Sequence, residues 1–358
     1  MSSSTSSSDW RRFFRLAVGT AAVAVSLIYV FVVLVDPFGI LPLSLVLDRV
    51  PVATNARYAF PSLARSHEFD SAIIGTSTSR LLRPVVLNAE LGGRFVNLAM
   101  NAATPYEQSR LLAVFVRAHP RARFVLIGLD VQTCEPHETT DRFTTREFPA
   151  WMYGDNLWRG YAEMFNLYAV QEAGQLFGIL IGIKREVYGH DGYTNFVPPD
   201  SQYDPQRVAM HFREAERIIA GWSDPVGDPA TWRYPQIEQL RAELTGLPET
   251  TRKILYFVPY HHLWRAPAGS PRAALWKECI RRVAMLASQF ANVVVVDFMI
   301  SGPITDVEDN YWDSQHYRTG IADRVARDLA AANRGEETPD YRLLGLDASC
   351  VEAFGKVC

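Results

Sequence analysis

The stretch Asp70-Ser71-Ala72-Ile73-Ile74-Gly75-Thr76-Ser77-Thr78-Ser79-Arg80 decides the reading of this chain. A short apolar run, Ala72 to Ile74, stops at a glycine and a cluster of hydroxyls. An apolar run closed by turn residues reads as a buried strand. Residues just past such a strand lie at the carboxyl edge of an open α/β sheet, where ligands bind. Ser77 is placed on that edge.

Working outward, Leu81–Leu91 reads as a helix after Pro84, and Arg94–Leu98 as a second strand. Pro105–Ala118 carries helix signals, with Glu107 in its first turn and Pro120 as its stop. Arg123–Leu129 is a third strand. Strands alternating with helices at this spacing imply a mostly parallel sheet with helices on both faces, an α/β fold in three layers. The rhythm lapses between Cys134 and Thr251. Helices are expected over 205–222 and 233–246, and Trp158, Tyr161, Phe165 and Tyr168 recur at helical spacing as the aromatic core of a lid. So long a gap between strands predicts a large, mostly helical insertion over 134–251. Strand and helix resume at Lys253–Val258, Pro271–Phe290, Asn292–Asp297 and Thr319–Ala332. The sheet domain is thus expected from 70–133 and 252–332, with a tail at 333–358.

The N-terminal region is different in kind. Residues 1–9 are rich in serine and expected to be disordered. Arg11, Arg12 and Arg15 precede an uncharged apolar run from Leu16 to Val35. Twenty helical residues match a bilayer core of roughly 30 Å. The basic cluster puts residues 1–15 in the cytoplasm, and the chain after Asp36 outside it. Residues 36–69, with Pro37, Pro42, Pro51 and Pro61, read as an irregular connector. The formal net charge of −3, with signs interspersed, excludes a nucleic-acid partner. Four cysteines show no Cys-x-x-Cys spacing, which argues against a zinc or redox motif. Cys350 and Cys358 could close a small loop in an oxidising compartment, or all four could be buried thiols.

Three elements carry chemistry: Gly75-Thr76-Ser77; Asp313-Ser314-Gln315-His316 ahead of the last helix; and the polar set Asn97, Asn101 and Asp130 after the second and third strands. A serine hydroxyl needs a base, and the base needs a group that fixes its tautomer. His316 is the candidate base and Asp313 the candidate orienting acid. Arg80 is a candidate for a substrate carboxylate or phosphate, or a partner for Asp70 or Glu107. His261 and His262, at the same edge, are candidates for substrate contact or for an ordinary polar loop. The acidic loop at 306–313 lacks a calcium-binding pattern. No metal and no cofactor are expected.

Gly-x-Ser after the first strand, with Asp-x-x-His before the last helix, resembles the SGNH/GDSL hydrolase superfamily. The apolar N-terminal segment, Gly75-Thr76-Ser77-Thr78-Ser79-Arg80, Asn97-Leu98-Ala99 and Asp313-Ser314-Gln315-His316-Tyr317 resemble its membrane-anchored bacterial group. That group includes the alginate O-acetylation proteins and the D-alanyl transfer protein of teichoic-acid modification. The resemblance implies a flavodoxin-like sheet, Ser77 as nucleophile, His316 as base and Asp313 as its partner. It places the oxyanion donors at the backbone N–H groups of Ser77 and of Ala99, which stands where the family usually has glycine; Asn101 is a candidate for the missing amide. It implies an acyltransferase or esterase, held at the bacterial inner membrane with its main domain in the periplasm. The substrates would be ester-linked acyl groups, acetyl foremost, of an envelope or exported glycan, with a membrane-bound acyltransferase as partner. Asp130 departs from the pattern, which has asparagine in that block. An ionised Asp130 would repel an oxyanion. That departure leaves open a second function, an inactive scaffold that binds glycan or a membrane partner.

Overall fold

The computed structural model describes residues 7–45, 47, 49–136 and 142–345. In chain order its first elements are α1 (Ser7–Val35), α2 (Ala56–Leu63), β1 (Ser71–Ile74), α3 (Ser77–Arg80), α4 (Pro84–Leu91), β2 (Phe95–Asn97), α5 (Pro105–Ala118) and β3 (Phe124–Leu129). Then follow α6 (Gly160–Glu163), α7 (Leu167–Leu180), α8 (Pro205–Ala220), α9 (Pro235–Gly246), β4 (Arg252–Phe257), α10 (Pro271–Ala287), β5 (Val293–Asp297), α11 (Thr319–Asn333) and β6 (Arg342–Leu343).

The helices start where the sequence fixes their first turn. Proline opens α4, α5, α8, α9 and α10, where its missing N–H costs nothing. Thr104 and Glu107 close a capping box at the start of α5. Gly92 ends α4 in the left-handed region, at φ 73°.

The chain divides into two compact units, residues 1–54 with 149–187, and residues 55–148 with 188–358. The second unit holds a six-stranded sheet in the order β2-β1-β3-β4-β5-β6. The first five strands run parallel, and β6 joins β5 antiparallel. Every residue of β1 is buried, as a central parallel strand requires. After β1 the chain winds first to β2 and then across to β3, so the topological switch point falls between β1 and β3. Ile74 pairs with Ile127, so the two strands end level with each other. The turn after β3 is fixed by a disulfide between Cys134 and Cys279 of α10. The bond corrects the reading of all four cysteines as buried thiols at Cys134 and Cys279; Cys350 and Cys358 lie outside the described residues.

The first unit contains α1, α6 and α7. Within α1, Trp10–Val35 is long and apolar enough to cross a membrane, with a mean hydropathy of 2.6 over its most apolar 18 residues. The helix starts at Ser7, inside the serine-rich stretch expected to be disordered.

Other expectations need correction. The connector expected over 36–69 contains α2, capped by the Asn55 side chain on Arg57 N–H. The stretch expected as one insertion is shared, with 149–187 in the first unit and 188–251 in the second. The aromatic spacing from Trp158 to Tyr168 does not mark one helix. Trp158 lies in a 3-10 turn, Tyr161 in α6, Phe165 between helices and Tyr168 in α7. Asn166 breaks the run by capping α7, its side chain accepting from Ala169 N–H at 2.8 Å.

Candidate active site

Ser77 opens α3, immediately past β1, and is the only residue between Ser71 and Arg80 that is not buried. The glycines around it answer to close packing. A Cβ on Gly75 would fall 2.2 Å from Ser79 Oγ, and one on Gly128 would fall 2.1 Å from the same atom. Ser79 is itself held by the Tyr256 hydroxyl, which donates to its Oγ at 2.7 Å. The turn is therefore wedged between β1, β3 and β4, with Ser77 projecting from it.

The candidate base arrives from the far end of the chain. Tyr311 and Tyr317 form an antiparallel bridge, and Trp312 N–H donates to His316 O at 2.8 Å. This small loop is tied to α3 by the Tyr317 hydroxyl, which donates to Thr78 O at 2.8 Å. His261 N–H supports it from below, donating to Ser314 O at 3.0 Å. His316 Nε2 lies 2.8 Å from Ser77 Oγ, and His316 Nδ1 lies 2.7 Å from Asp313 Oδ2. The other Asp313 oxygen accepts from the N–H groups of Gln315 and His316, at 2.8 and 2.9 Å. Burial opposes ionisation of Asp313. The His316 hydrogen bond and charge, with the two backbone N–H groups, outweigh it and hold the carboxyl below its usual range. An ionised Asp313 fixes the proton on Nδ1 and leaves Nε2 free to accept the serine proton.

Asp130 stands at the end of β3, beside the serine turn. Its Oδ1 accepts from Thr76 Oγ1 at 3.0 Å and from the Tyr260 hydroxyl. Its Oδ2 is buried and has no partner among the described residues. Burial raises its pKa to about 6, against the opposing pull of Tyr260, Thr76 and the charge of His316. The Tyr260 hydroxyl is pushed well above its ordinary value by burial and by the adjacent Asp130, so it stays a donor.

The expected oxyanion donors fare differently. The Ser77 N–H, at the first position of α3, has no intrahelical acceptor. The Asn101 side chain makes no hydrogen bond among the described residues, and its Oδ1 is buried. Ala99 needs correction as a donor: its N–H is spent on Asn97 Oδ1 at 3.0 Å. Asn97 in turn donates to the carbonyls of Arg80 and Leu82, at 3.2 and 2.8 Å, and so fastens β2 to the serine turn.

Arg80 pairs with neither Asp70 nor Glu107. Glu107 binds Arg57 inside the core, and Asp70 accepts from the Ser71 hydroxyl and from Arg94 N–H. The Arg80 guanidinium is buried between the rings of Tyr188 and Phe196, 5.2 and 5.4 Å from their centres. Burial lowers its pKa, partly offset by Tyr188. His261 and His262 do not reach the cleft beside the triad. His261 is 1% exposed, packed on Phe212 and Tyr311, and burial beside His262 lowers its pKa to about 4. His262 N–H binds Thr305 O. His261 supports the loop of Asp313 and His316; neither histidine lines the cleft, and both are corrected as candidate substrate contacts.

A cleft of about 290 Å³ opens beside Asp313 and His316, walled by Phe196, Val197, Pro198, Asp204, Arg207, Val208, His211 and Trp312. The Phe196 ring meets His316 edge-on, 5.4 Å between centres. A slightly larger cavity, about 330 Å³, lies near the disulfide among Trp222, Trp264 and Trp276. It contains none of Ser77, Asp313 and His316, whereas Asp313 and His316 line the smaller cleft. Phe196, Arg207 and His211 gave no signal in sequence, because they lie in a stretch without motif or strand rhythm. Trp312 was detectable, as the residue before Asp313. No protein-family profile matches this chain, and no curated protein matches it.

Proposed function

We propose that this protein is a membrane-anchored, serine-dependent acyl-transfer enzyme of the SGNH kind, acting in the periplasm on ester-linked acyl groups of an envelope or exported glycan. The observation that carries the reading is the unbroken relay Ser77 Oγ, His316 Nε2 and Nδ1, Asp313 Oδ2, with links of 2.8 and 2.7 Å, whose His316 and Asp313 line a cleft. The sheet is read as the middle layer of a flavodoxin-like α/β/α sandwich, with the residues between β3 and β4 as its helical insertion. The anchor is read as crossing the bacterial inner membrane with its N-terminus in the cytoplasm. The Cys134–Cys279 disulfide accords with an oxidising compartment.

Ser77 Oγ forms a bond to the acyl carbonyl carbon while its proton passes to His316 Nε2. The carbonyl π electrons move onto oxygen. That oxyanion accepts hydrogen bonds from Ser77 N–H, from the Asn101 amide and from Asp130 in its neutral form, whose carboxyl O–H donates without releasing its proton. A neutral carboxyl resolves the objection to an acid at this position, since it donates where a carboxylate would repel. Collapse expels the alcohol, which takes the proton from His316. A sugar hydroxyl or water then attacks the acyl-enzyme, giving its proton to His316; the acyl–Oγ bond breaks, and Ser77 Oγ takes that proton back. The anchor favours transfer, since it keeps the domain near a membrane-borne acyl donor or a membrane-bound acyltransferase.

A fluorophosphonate tests the mechanism without a known substrate, because Ser77 attack forms a P–O bond and releases fluoride. The full chain is expected to label at Ser77, and Ser77→Ala to lose labelling while keeping its Tm. A folded wild type that fails to label between pH 5 and 9 would establish the scaffold reading instead.

A further inference from the structure

We infer that α6, α7 and the turns flanking them form a second membrane-embedded element, sunk into one leaflet beside α1. The inference rests on the anchor reading of α1 and concerns only the first unit.

Outward exposure is the first observation. Phe165 is 62% exposed, Leu167 86% and Ile183 77%, and Phe177, Leu180 and Ile181 are exposed with them. So dense a patch of large apolar side chains marks a surface that meets something other than water. Polarity is distributed to match. From Met164 to Ile183 the single charged residue is Glu172, and it is 2% exposed, turned away from the surface. Charges return at both borders, with the Arg159–Glu163 ion pair before and Lys184 and Arg185 after. An apolar segment flanked by charge is the pattern of a chain that enters lipid and leaves at the headgroups.

Depth is the second observation. The α7 segment packs along the outer half of α1. Phe165 meets Tyr29, and Phe177 meets Phe31, each 5.6 Å between ring centres. Val25, Ile28, Tyr29 and Val32 of α1 line an apolar groove with residues from Met164 to Val170. At about 1.5 Å per residue, Val25 lies roughly 15 Å along the helix from Val35. Whatever touches α1 between those residues sits within the leaflet that α1 crosses last. A 14-residue helix spans only about 21 Å, too short to cross the core, so α7 dips into that leaflet and returns.

Backbone satisfaction is the third. Lipid tolerates non-helical turns only where their polar groups are paired within the protein. Before α7, Phe165 N–H donates to Ala162 O at 3.1 Å, and Asn166 Nδ2 to Glu163 O at 2.6 Å. After it, the N–H groups of Ile183 and Lys184 both donate to Gly178 O, at 2.8 and 2.9 Å. Tyr29 of α1 donates its hydroxyl to Tyr161 O at 2.6 Å. The turns that would be costly in lipid are thus closed.

Lipid is chosen as the occupant because the patch is continuous with the helix that must itself meet lipid. The test places the photocrosslinker p-benzoyl-phenylalanine singly at Phe165, Leu167, Leu27 and Val226 in the full chain. The protein is reconstituted in vesicles of phosphatidylethanolamine and phosphatidylglycerol, and adducts are read by mass spectrometry. Leu27 reports on α1, and Val226 is an apolar side chain of the second unit, 93% exposed. Phospholipid adducts at Phe165 and Leu167 are expected at yields within a few-fold of Leu27 and at least tenfold above Val226. Adducts at Leu27 with none at Phe165 and Leu167 would overturn this inference and leave the anchor standing. No lipid adduct at Leu27 would remove the anchor and the inference with it. Illumination in cells that joins Phe165 and Leu167 to a protein chain rather than lipid also overturns it, in favour of a membrane-protein partner.

Discussion

Two turns leave the sheet side by side. The chain exits β1 to reach Ser77 and exits β3 to reach Asp130, each three residues beyond the paired Ile74 and Ile127. Ser77 is partly exposed and partnered by His316. Asp130 is 6% exposed, with one oxygen doubly bonded by hydroxyls and the other unpartnered. The same sheet edge therefore holds one residue open to reagent and, beside it, one almost wholly withdrawn from water. Openness suits a nucleophile. Closure suits a group whose protonation is set by burial. On the proposed function, the first turn would supply the reacting atom, and the second would set the pH range over which that atom receives electrophilic help.

The largest expected effect lies on the Ser77 side. Asp313→Asn keeps the shape of the loop but removes the anionic acceptor that fixes the His316 tautomer. A fall of roughly 10⁴-fold in the fluorophosphonate labelling rate is expected, by analogy with other Ser-His-Asp triads. An Asp313→Asn protein that labels at nearly the wild-type rate would show that His316 is not the base.

Next in size is the exchange of Asp130. Losing one oxyanion donor costs about 10²–10³-fold, so Asp130→Leu should label about 100-fold more slowly than wild type at pH 5.5. Asp130→Asn supplies an amide donor that does not titrate. The sign follows from the raised pKa of about 6: the carboxyl is neutral below that pH and loses its proton as pH rises through it. Around it, burial holds Tyr256, Tyr260 and Tyr317 neutral, and His316 is the neighbour whose charge acts on it. The wild-type donor population should fall about tenfold per pH unit above 6, to roughly 1% at pH 8. Asp130→Asn should thus match wild type within a few-fold at pH 5.5 and label at least tenfold faster at pH 8. Parallel pH profiles for the two proteins would reduce Asp130 to a packing residue.

Much of this edge was legible in sequence, for reasons that also explain what was missed. The strands β1, β3, β4 and β5 are short apolar runs ended by glycine, proline or aspartate, and burial on both faces leaves no other pattern. Ser77, Asp313 and His316 were found because their chemistry demands particular residue types at particular ends of a strand–helix rhythm. Tyr260 and Thr76 were not found, because a hydrogen bond onto Asp130 depends on two turns meeting in space. Nor was Ala99 N–H recognisable as already engaged, since its acceptor, Asn97 Oδ1, turns back onto the chain two residues past the end of β2. Proline misled at α2, where Pro61 sits inside the helix that the prolines of 37–61 argued against. β6 has two residues and offers no period to read.

The smallest effect separates the roles of the two groups that hold Asp130 Oδ1. The Tyr260 hydroxyl donates to that oxygen and favours the ionised carboxyl, lowering a pKa that burial raises. Tyr260→Phe removes the donor and leaves the ring in place, so the Asp130 pKa should rise further. The alkaline fall in wild-type labelling should then move to higher pH, by up to about one unit, a shift worth roughly 1.4 kcal/mol of differential stabilisation. Below pH 5.5 the rate should be unchanged within a few-fold, because Asp130 is already neutral there. A merely structural loss would lower the rate at every pH and leave the midpoint fixed. The same substitution in the Asp130→Asn background should shift nothing, since no titrating carboxyl remains for Tyr260 to act on. A shift that persists in that double variant would assign the alkaline fall to a group other than Asp130 and break the division of labour between the two turns.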